Sequence, residues 1–283
     1  MLLLFILNIL FISSSDSLLV KDREISGFSN TVSVTTDGKG FLYALDNESN
    51  EIIKMNDKLI EIKRTGRQGW NTGEFDSPTY IDGSSGLDIF VTDGNNYRIQ
   101  RFDLNLGYIS SLYTNSETYK PEYKFKRPLA TIIVNSNDLY VIDGDNNRIV
   151  TYPRGYEPST VFGDFRAGQG SLMEPIKILK DSENFLYVLD KKRDAIMKYD
   201  NFGNFIRTIK GNKIITISLN KGVLYILNGD EIIMYDVFKN AYVGKKVFAN
   251  IISTKNITDL LVYSPEKYLV LYKNKLILYK SQK

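Results

Sequence analysis

The sequence predicts an all-β fold, a six-bladed β-propeller closed by an N-terminal strand that completes the last blade. A short apolar phrase returns along the chain: LYALD from residue 42, IFVTD from 89, LYVID from 139, LYVLD from 186, LYILN from 224 and, less well kept, YLVLY from 268. Its interval of about 40–50 residues is typical of a propeller blade of four short strands. No long amphipathic helix pattern interrupts the strand-like runs.

The fourth unit shows the four strands of one blade most clearly. Its runs are PIKILKD (175–181), FLYVLD (185–190), AIMKYD (195–200) and FIRTIK (205–210), each bounded by turn-forming residues. In the second run both alternating faces are apolar, as expected of a blade packed between two neighbours. Gly203 lies in the last link, where a tight turn favours a residue that tolerates positive φ.

The two ends of the chain predict how the ring closes. The sixth unit ends with the run KLILYK (275–280), and only three residues follow it, too few for a fourth strand. The front of the chain has a surplus strand, LVKDREIS (19–26), before the first inner strand. We therefore expect residues 19–26 to form the outer strand of the sixth blade, which would leave no open seam in the ring.

Composition excludes several classes of chemistry. The 283 residues carry a formal net charge of +3 and contain no Cys and no His. The absence of His excludes Ser–His and Cys–His catalysis and His-ligated metals, and the even charge is not the footprint of a nucleic-acid-binding protein. With no linker-like segment, residues 16–283 are expected to form a single domain, and no cofactor or metal site is indicated.

Residues 1–15, MLLLFILNILFISSS, resemble a secretory leader. The apolar run is too short for a membrane span, and Ser13 and Ser15 are small residues suited to a cleavage site. The alternative is an apolar N-terminal strand of the fold. We expect a signal peptide over 1–15, an extracytoplasmic protein (periplasmic or secreted), and no membrane span once the leader is removed.

The second and fourth units resemble the NHL-repeat family. The stretches that carry the resemblance are WNTGEFDSPTYIDGSSGLDIFVTDGNNYRIQRFDLNLGYI (70–109) and GQGSLMEPIKILKDSENFLYVLDKKRDAIMKYDNFGNFIRTI (168–209). The third unit keeps part of the pattern, and the fifth and sixth keep only the apolar strands. In the second unit the residues that match are Gly73, Phe75, Pro78, Val91, Asp93, Asn96, Arg98, Ile99, Phe102 and Asp103.

The resemblance implies a six-bladed propeller of the exported bacterial type, used as a binding platform. Domains of this family serve in protein contacts, in RNA binding, as extracellular sensor heads and, in a few relatives, as metal-dependent enzymes. Function therefore has to be argued from particular residues.

A regular polar set accompanies the repeats. An Asp ends four of the second strands, and an Arg opens two of the third strands. One interpretation makes these residues ligand contacts on one face; the favoured one is structural, with each Asp accepting bonds from turn N–H groups and pairing with Arg. This structural repeat network consists of Asp46, Asp93, Arg98, Asp143, Arg148 and Asp190.

Three long connections, 66–78, 115–128 and 163–175, lead from a fourth strand into the next inner strand and emerge on one face. Aromatic residues beside Arg and Lys are the composition of binding hot spots, so these loops are expected to contact a protein or glycan. No nucleic-acid partner is expected, and the protein is expected to be a monomer. The candidate partner-binding residues are Arg67, Trp70, Tyr119, Tyr123, Lys124, Arg127, Phe165 and Arg166.

These observations favour an exported, non-enzymatic propeller scaffold, with no catalytic residue. Two alternatives stay open. One is a metal-dependent hydrolase or lactonase with oxygen ligands in the central channel, for which the inner strands offer only Asp82, Asp181 and Asp259. The other is an RNA-binding NHL domain, which the leader and the modest charge oppose.

Overall fold

A computed structural model describes residues 17–135, 137–250 and 252–282. The expected leader, residues 1–15, lies outside them. The first described element is β1 (Ser17–Ser26). Sheet one then comprises β2 (Thr31–Thr36), β3 (Phe41–Asp46), β4 (Glu51–Asn56) and β5 (Glu61–Thr65). Sheet two comprises β6 (Pro78–Asp82), β7 (Asp88–Asp93), β8 (Arg98–Asp103) and β9 (Tyr108–Tyr113).

Sheets three and four repeat this four-stranded meander. Sheet three comprises β10 (Pro128–Val134), β11 (Asp138–Asp143), β12 (Arg148–Tyr152) and β13 (Thr160–Phe162). Sheet four comprises β14 (Pro175–Lys180), β15 (Leu186–Asp190), β16 (Ala195–Tyr199) and β17 (Phe205–Lys210). Short 3-10 turns interrupt the connections at Pro121–Tyr123, Pro153–Gly155 and Phe165–Gly170.

The remaining strands belong to one eight-stranded sheet with the order β18-β19-β20-β21-β1-β24-β23-β22. Its first half, called meander five here, is β18 (Ile214–Asn220), β19 (Val223–Asn228), β20 (Glu231–Asp236) and β21 (Ala241–Phe248). Its second half, meander six, consists of β1 together with β22 (Ile257–Ser264), β23 (Lys267–Tyr272) and β24 (Lys275–Gln282).

The two ends of the described chain lie side by side, in the pairing expected from the surplus N-terminal strand. β1 runs antiparallel to β24, with Leu18 opposite Gln282 and Ser26 opposite Lys275. The sequence did not predict a second pairing, in which the start of β1 runs parallel to β21 and Leu19 lies opposite Phe248. Because β1 is ten residues long, its first residues reach β21 and merge the last two meanders into one sheet.

Apolar side chains pack between successive sheets. Leu186–Asp190 of β15 is buried at every position, because sheet three covers one face of the strand and meander five the other. The described residues form clusters between sheets one and two, two and three, three and four, sheet four and meander five, meanders five and six, and meander six and sheet one. The predicted all-β propeller is confirmed, and this packing is its main source of stability.

Candidate functional site

Inner strands of neighbouring sheets are joined by side chains that accept backbone N–H groups. Ser33 and Thr35 of β2 accept bonds from the N–H groups of Ile81 (3.4 Å) and Gly83 (2.9 Å) in sheet two. Ser218 of β18 accepts the N–H of Val262 in meander six at 2.9 Å. A neutral hydroxyl is therefore sufficient to join one inner strand to the next.

Asp259 of β22 joins four parts of the ring at once. Its carboxylate pairs with the buried ammonium of Lys177 on β14 and accepts the hydroxyl of Thr216 at 3.0 Å. It also accepts the N–H of Val34 in sheet one at 3.1 Å and that of Leu260 at 2.8 Å. Because these donors lie on inner strands of sheets one and four and of meanders five and six, this carboxylate crosses the channel and holds both sides together.

A cavity of 240 Å³ occupies one end of the channel and is called the channel cavity here. Residues at the ends of the inner strands and in the hairpins that follow them line it, among them Asp82, Ser84, Lys180 and Asn220. The long loops precede the inner strands, so they lie on the opposite face. A few charged and polar side chains within a largely apolar lining make the channel cavity a candidate binding or catalytic site.

Asp82 is one of two carboxylates that line this cavity; the other, Asp37, accepts the N–H groups of Lys39 and Phe41 and so stabilises its own hairpin. A neutral acceptor would satisfy the hydrogen bonds that Asp82 makes, so its negative charge is not needed to join the strands. Asp82 accepts the N–H groups of Ser84 (3.0 Å) and of Ile133 in sheet three (3.4 Å). In the register of β6 and β7, Asp82 lies opposite Phe90, the second residue of the repeated apolar phrase. The residues in the corresponding register of other inner strands are all uncharged: Thr35, Ile132, Leu179 and Ser218.

Burial raises the pKa of Asp82, although hydrogen bonds from Ser84 and Ile133 and the positive charge of Lys180 oppose this effect. A carboxylate with a raised pKa binds a proton more readily than an exposed one, which suits a general base or acid. Lys180, at the end of β14, makes no ion pair among the described residues, whereas Lys177 on the same strand is neutralised by Asp259. The cavity thus brings together a carboxylate and a cation without a partner.

The three inner-strand acids considered as metal ligands do not converge. Asp181 accepts the N–H groups of Glu183 and Phe185 and the hydroxyl of Tyr187, so it stabilises its own hairpin. Asp259 is paired with Lys177, and of these three acids only Asp82 lines the cavity. Among the described residues no group of three His, Cys, Asp or Glu could hold a metal ion. The donor set does not fit the metal-dependent alternative.

The repeated Asp residues lie at turns, on the side of the sheets where the long loops start. Asp46 accepts the N–H groups of Ser29 and Asn30 and two turn N–H groups. Asp190 accepts those of Met173 and Glu174, and Arg193, which the sequence did not single out, lies 3.7 Å away. All four carboxylates are buried, and each accepts a backbone N–H group; the full set is Asp46, Asp93, Asp143 and Asp190.

The two repeated Arg residues pair with these carboxylates, at 2.8 Å for Arg98 and Asp93 and at 2.7 Å for Arg148 and Asp143. Arg98 is only 2% exposed and also donates to the carbonyls of Trp70, Asn71 and Glu74. It therefore fixes the first long loop onto sheet two. In that loop, hydrogen bonds from the backbone of Asn71 and from Arg67 lower the pKa of Glu74 to about 2.

Most of the candidate partner-binding side chains already have a partner in the fold. Among their side chains Arg67 pairs with Glu74, Lys124 with Glu117, Arg127 with Asp145 and Arg166 with Asp164. The hydroxyls of Tyr119 and Tyr123 donate to the carbonyls of Tyr156 and Ser159. Trp70 and Phe165 project into solvent, at 77% and 87% exposure.

From the sequence, Asp82 was considered only as a metal ligand, and Lys180 was not singled out. A lysine at the end of an apolar run looks like an ordinary strand boundary, and nothing local reveals that the strand end faces a cavity. A usable signal for Asp82 was present, namely an acid where the other repeats carry hydroxyl or aliphatic residues. Within residues 17–135, 137–250 and 252–282 the structure has no helix that could span a membrane.

Comparison with known proteins shows the fold. No family model matches the chain, and no curated protein matches its sequence. A solved streptogramin B lyase is 12% identical with a TM-score of 0.64, covering 92% of this chain and 97% of that one. Virginiamycin B lyase from Staphylococcus aureus is 13% identical with a TM-score of 0.60, covering 91% and 98%. A catalytically inactive His-to-Ala variant of the Staphylococcus aureus enzyme with quinupristin is 18% identical with a TM-score of 0.59, covering 89% and 80%.

These similar structures correct one expectation from the sequence. The chain was expected to be a non-enzymatic scaffold that binds a protein or glycan through its long loops, yet three solved structures that share its fold over 89–92% of its length are structures of lyases. The expectation was wrong because it interpreted charged and aromatic loop residues as a free binding surface. Six of the eight side chains have a partner in the fold, three of them within their own loop and three in other turns or connections.

Proposed function

We propose that the chain is an enzyme of the lyase type, which breaks a carbon–oxygen bond by elimination in the channel cavity. Asp82 acts as the base and Lys180 as the electrostatic partner of the developing negative charge. The observation that carries the proposal is a buried carboxylate of raised pKa facing a cavity that also contains an unpaired cation. The propeller fold that this chain shares with two solved lyase structures supports this reaction class.

The step requires no metal and balances with the residues present. The carboxylate of Asp82 takes a proton from a carbon next to a carbonyl group, and the electron pair of that bond becomes a carbon–carbon double bond. The carbon–oxygen bond one position further along then breaks, and the oxygen leaves with its electron pair. Lys180 attracts both the enolate-like charge and the leaving anion.

The chemistry must differ in detail from that of the similar lyases. One of them is inactive when a His is replaced by Ala, and this chain contains no His. A carboxylate whose pKa is raised by burial can take the part of a base without an imidazole. We therefore assign to this chain the reaction class suggested by the lyases and not their substrate.

The volume of the channel cavity limits the substrate. At 240 Å³ it is smaller than the range of about 300–1,000 Å³ typical of drug-sized ligands. The proposed substrate class is a small compound, or the end of a larger one, with a carbonyl group and an oxygen leaving group on the β carbon.

We also propose that the ring has six blades, with the eight-stranded sheet counted as two. Apolar clusters between successive meanders, the last one joining meander six to sheet one, support this count. The Pro-led inner strands β6, β10 and β14 and the Asp–Arg pairs support a relationship to NHL repeats.

A small β-acyloxy ketone tests the reaction. With 4-acetoxybutan-2-one, elimination gives an enone that absorbs ultraviolet light, together with acetate, whereas ester hydrolysis gives a hydroxyketone without that absorbance. We expect the protein to accelerate enone formation. Replacing Asp82 by Asn or Thr is expected to reduce the rate by about 10²–10⁴-fold, the usual contribution of a positioned base.

The Asp82→Thr variant separates catalysis from folding. Thr35 accepts the same inter-strand bond at the corresponding position of sheet one, so the variant should fold and show a cooperative thermal unfolding transition. Glu183→Gln removes an exposed carboxylate from the hairpin that follows Lys180 and should keep full activity. An absence of enone formation by the unaltered protein, or equal rates for it and Asp82→Thr, would refute the proposal.

A further inference from the structure

A second cavity, of 420 Å³, lies between sheets two and three on the side of the molecule away from the channel axis, and is called the outer groove here. Its inner wall is apolar and includes Phe90, Ile99 and Leu139. Its rim carries large side chains that are mostly in solvent, with Leu87 66%, Ile109 45% and Tyr156 73% exposed. Its volume falls within the range of about 300–1,000 Å³ typical of small-molecule sites.

The groove exists because the outer edge of sheet three is short. β13 has three residues and pairs only with Ile149, Val150 and Thr151 of β12, whereas β9 of sheet two has six. Between Tyr152 and Thr160 the chain leaves the sheet through a 3-10 turn. The wall beside this turn is therefore formed by β9 and by residues 154–156 and not by a fourth strand.

Arg154 stands at this turn with its guanidinium group free. Its backbone has φ of +57°, which a non-glycine residue rarely adopts, and its N–H donates to Asp138 at 3.1 Å. The side chain is exposed and makes no hydrogen bond or ion pair with any described residue. The other arginine of the groove, Arg101, is already neutralised by Asp88 at 2.6 Å. A free charge beside an apolar cavity is a candidate ligand contact.

We propose that the outer groove binds a small amphipathic anion, an aromatic or aliphatic body with one carboxylate or sulfonate. The apolar body would enter between Phe90 and Leu139, and the anionic group would pair with Arg154. The balance of the lining charges favours an anion, since Arg101 and Asp88 cancel and Arg154 remains. The fork of a guanidinium group matches a carboxylate through two parallel hydrogen bonds.

Isothermal titration with 2-naphthoate tests this site, with the uncharged analogue 2-naphthol for comparison. Arg154→Gly removes the charge and suits the positive φ, and it is expected to weaken 2-naphthoate binding at least about tenfold. It should leave the weaker binding of 2-naphthol unchanged. Ile109→Asp, which adds a negative charge to an exposed rim position, should weaken only 2-naphthoate. Arg207→Ala, on β17 of sheet four, is the matched control and should bind normally.

Saturable binding of one 2-naphthoate per chain that is lost in Arg154→Gly and Ile109→Asp supports the site. Absence of saturable binding to the unaltered protein, or equal affinity in Arg154→Gly, overturns it. Equal weakening in Arg207→Ala also overturns it, because the effect would then be one of net charge. The readout is binding alone, so its outcome is independent of whether the channel cavity is catalytic.

Discussion

Replacing Asp259 by Ala is expected to destabilise the protein by about 3–5 kcal/mol, the cost of leaving one charge of a buried pair without its partner. The variant leaves the ammonium of Lys177 buried, and the hydroxyl of Thr216 and the N–H of Val34 lose their acceptor. Urea unfolding at neutral pH measures the effect. Because Asp259 joins inner strands on opposite sides of the channel, we expect the loss to lower the stability of the whole ring.

The double variant Lys177→Met/Asp259→Ala is the control for this prediction. It removes the buried charge along with its partner, and buried ion pairs replaced by apolar residues are often no less stable than the original. We expect it to be more stable than Asp259→Ala alone. Equal stabilities of the single and double variants, or an unchanged unfolding midpoint for Asp259→Ala, would show that the pair does not hold the channel together.

The second large effect concerns β1. Leu19 is 1% exposed and packs beside Phe248 and Tyr279, whereas its neighbour Leu18 is 51% exposed. We expect Leu19→Ala to cost about 2–5 kcal/mol, as core truncations do, and Leu18→Ala to change stability by less than about 0.5 kcal/mol. Removal of residues 18–26 should lower the melting temperature further, because it takes away the partner of both β24 and β21.

Calorimetry of the three variants distinguishes a strand that closes the ring from a strand that only covers it. Similar small effects for Leu19→Ala and Leu18→Ala, with a truncated protein that melts like the parent, would contradict closure. The parallel pairing of β1 with β21 leads to a further expectation. Loss of β1 should loosen β21 as well as β24, which hydrogen exchange at residues 246–248 would report.

Strand positions were predictable because an apolar phrase repeats and each copy lies between turn residues. The closure by residues 19–26 was predictable from a surplus strand at one end and a missing strand at the other. The parallel pairing of Leu19 with Phe248 was not, because it depends on how far a long strand reaches once the ring has closed. No local pattern encodes that distance.

The candidate site was less predictable, because its partners come from distant parts of the chain. Lys177 and Asp259 are 82 residues apart, and the N–H that Asp82 accepts belongs to Ile133 in another sheet. The sequence shows three inner-strand acids, but not that two of them are already engaged and the third faces a cavity. The composition of the loops was visible, but a sequence does not show which charged side chains form ion pairs within the fold and which are free.

The proposed chemistry depends on the state of one carboxyl group. Carbon-13 NMR of aspartate-labelled protein, with the signal assigned through Asp82→Asn, follows its titration directly. We expect the pKa of Asp82 to lie above its ordinary value, because burial disfavours the carboxylate, and to rise further in Lys180→Met, because the nearby positive charge is then removed. A pKa at or below the ordinary value that Lys180→Met leaves unchanged would contradict a base in the channel cavity.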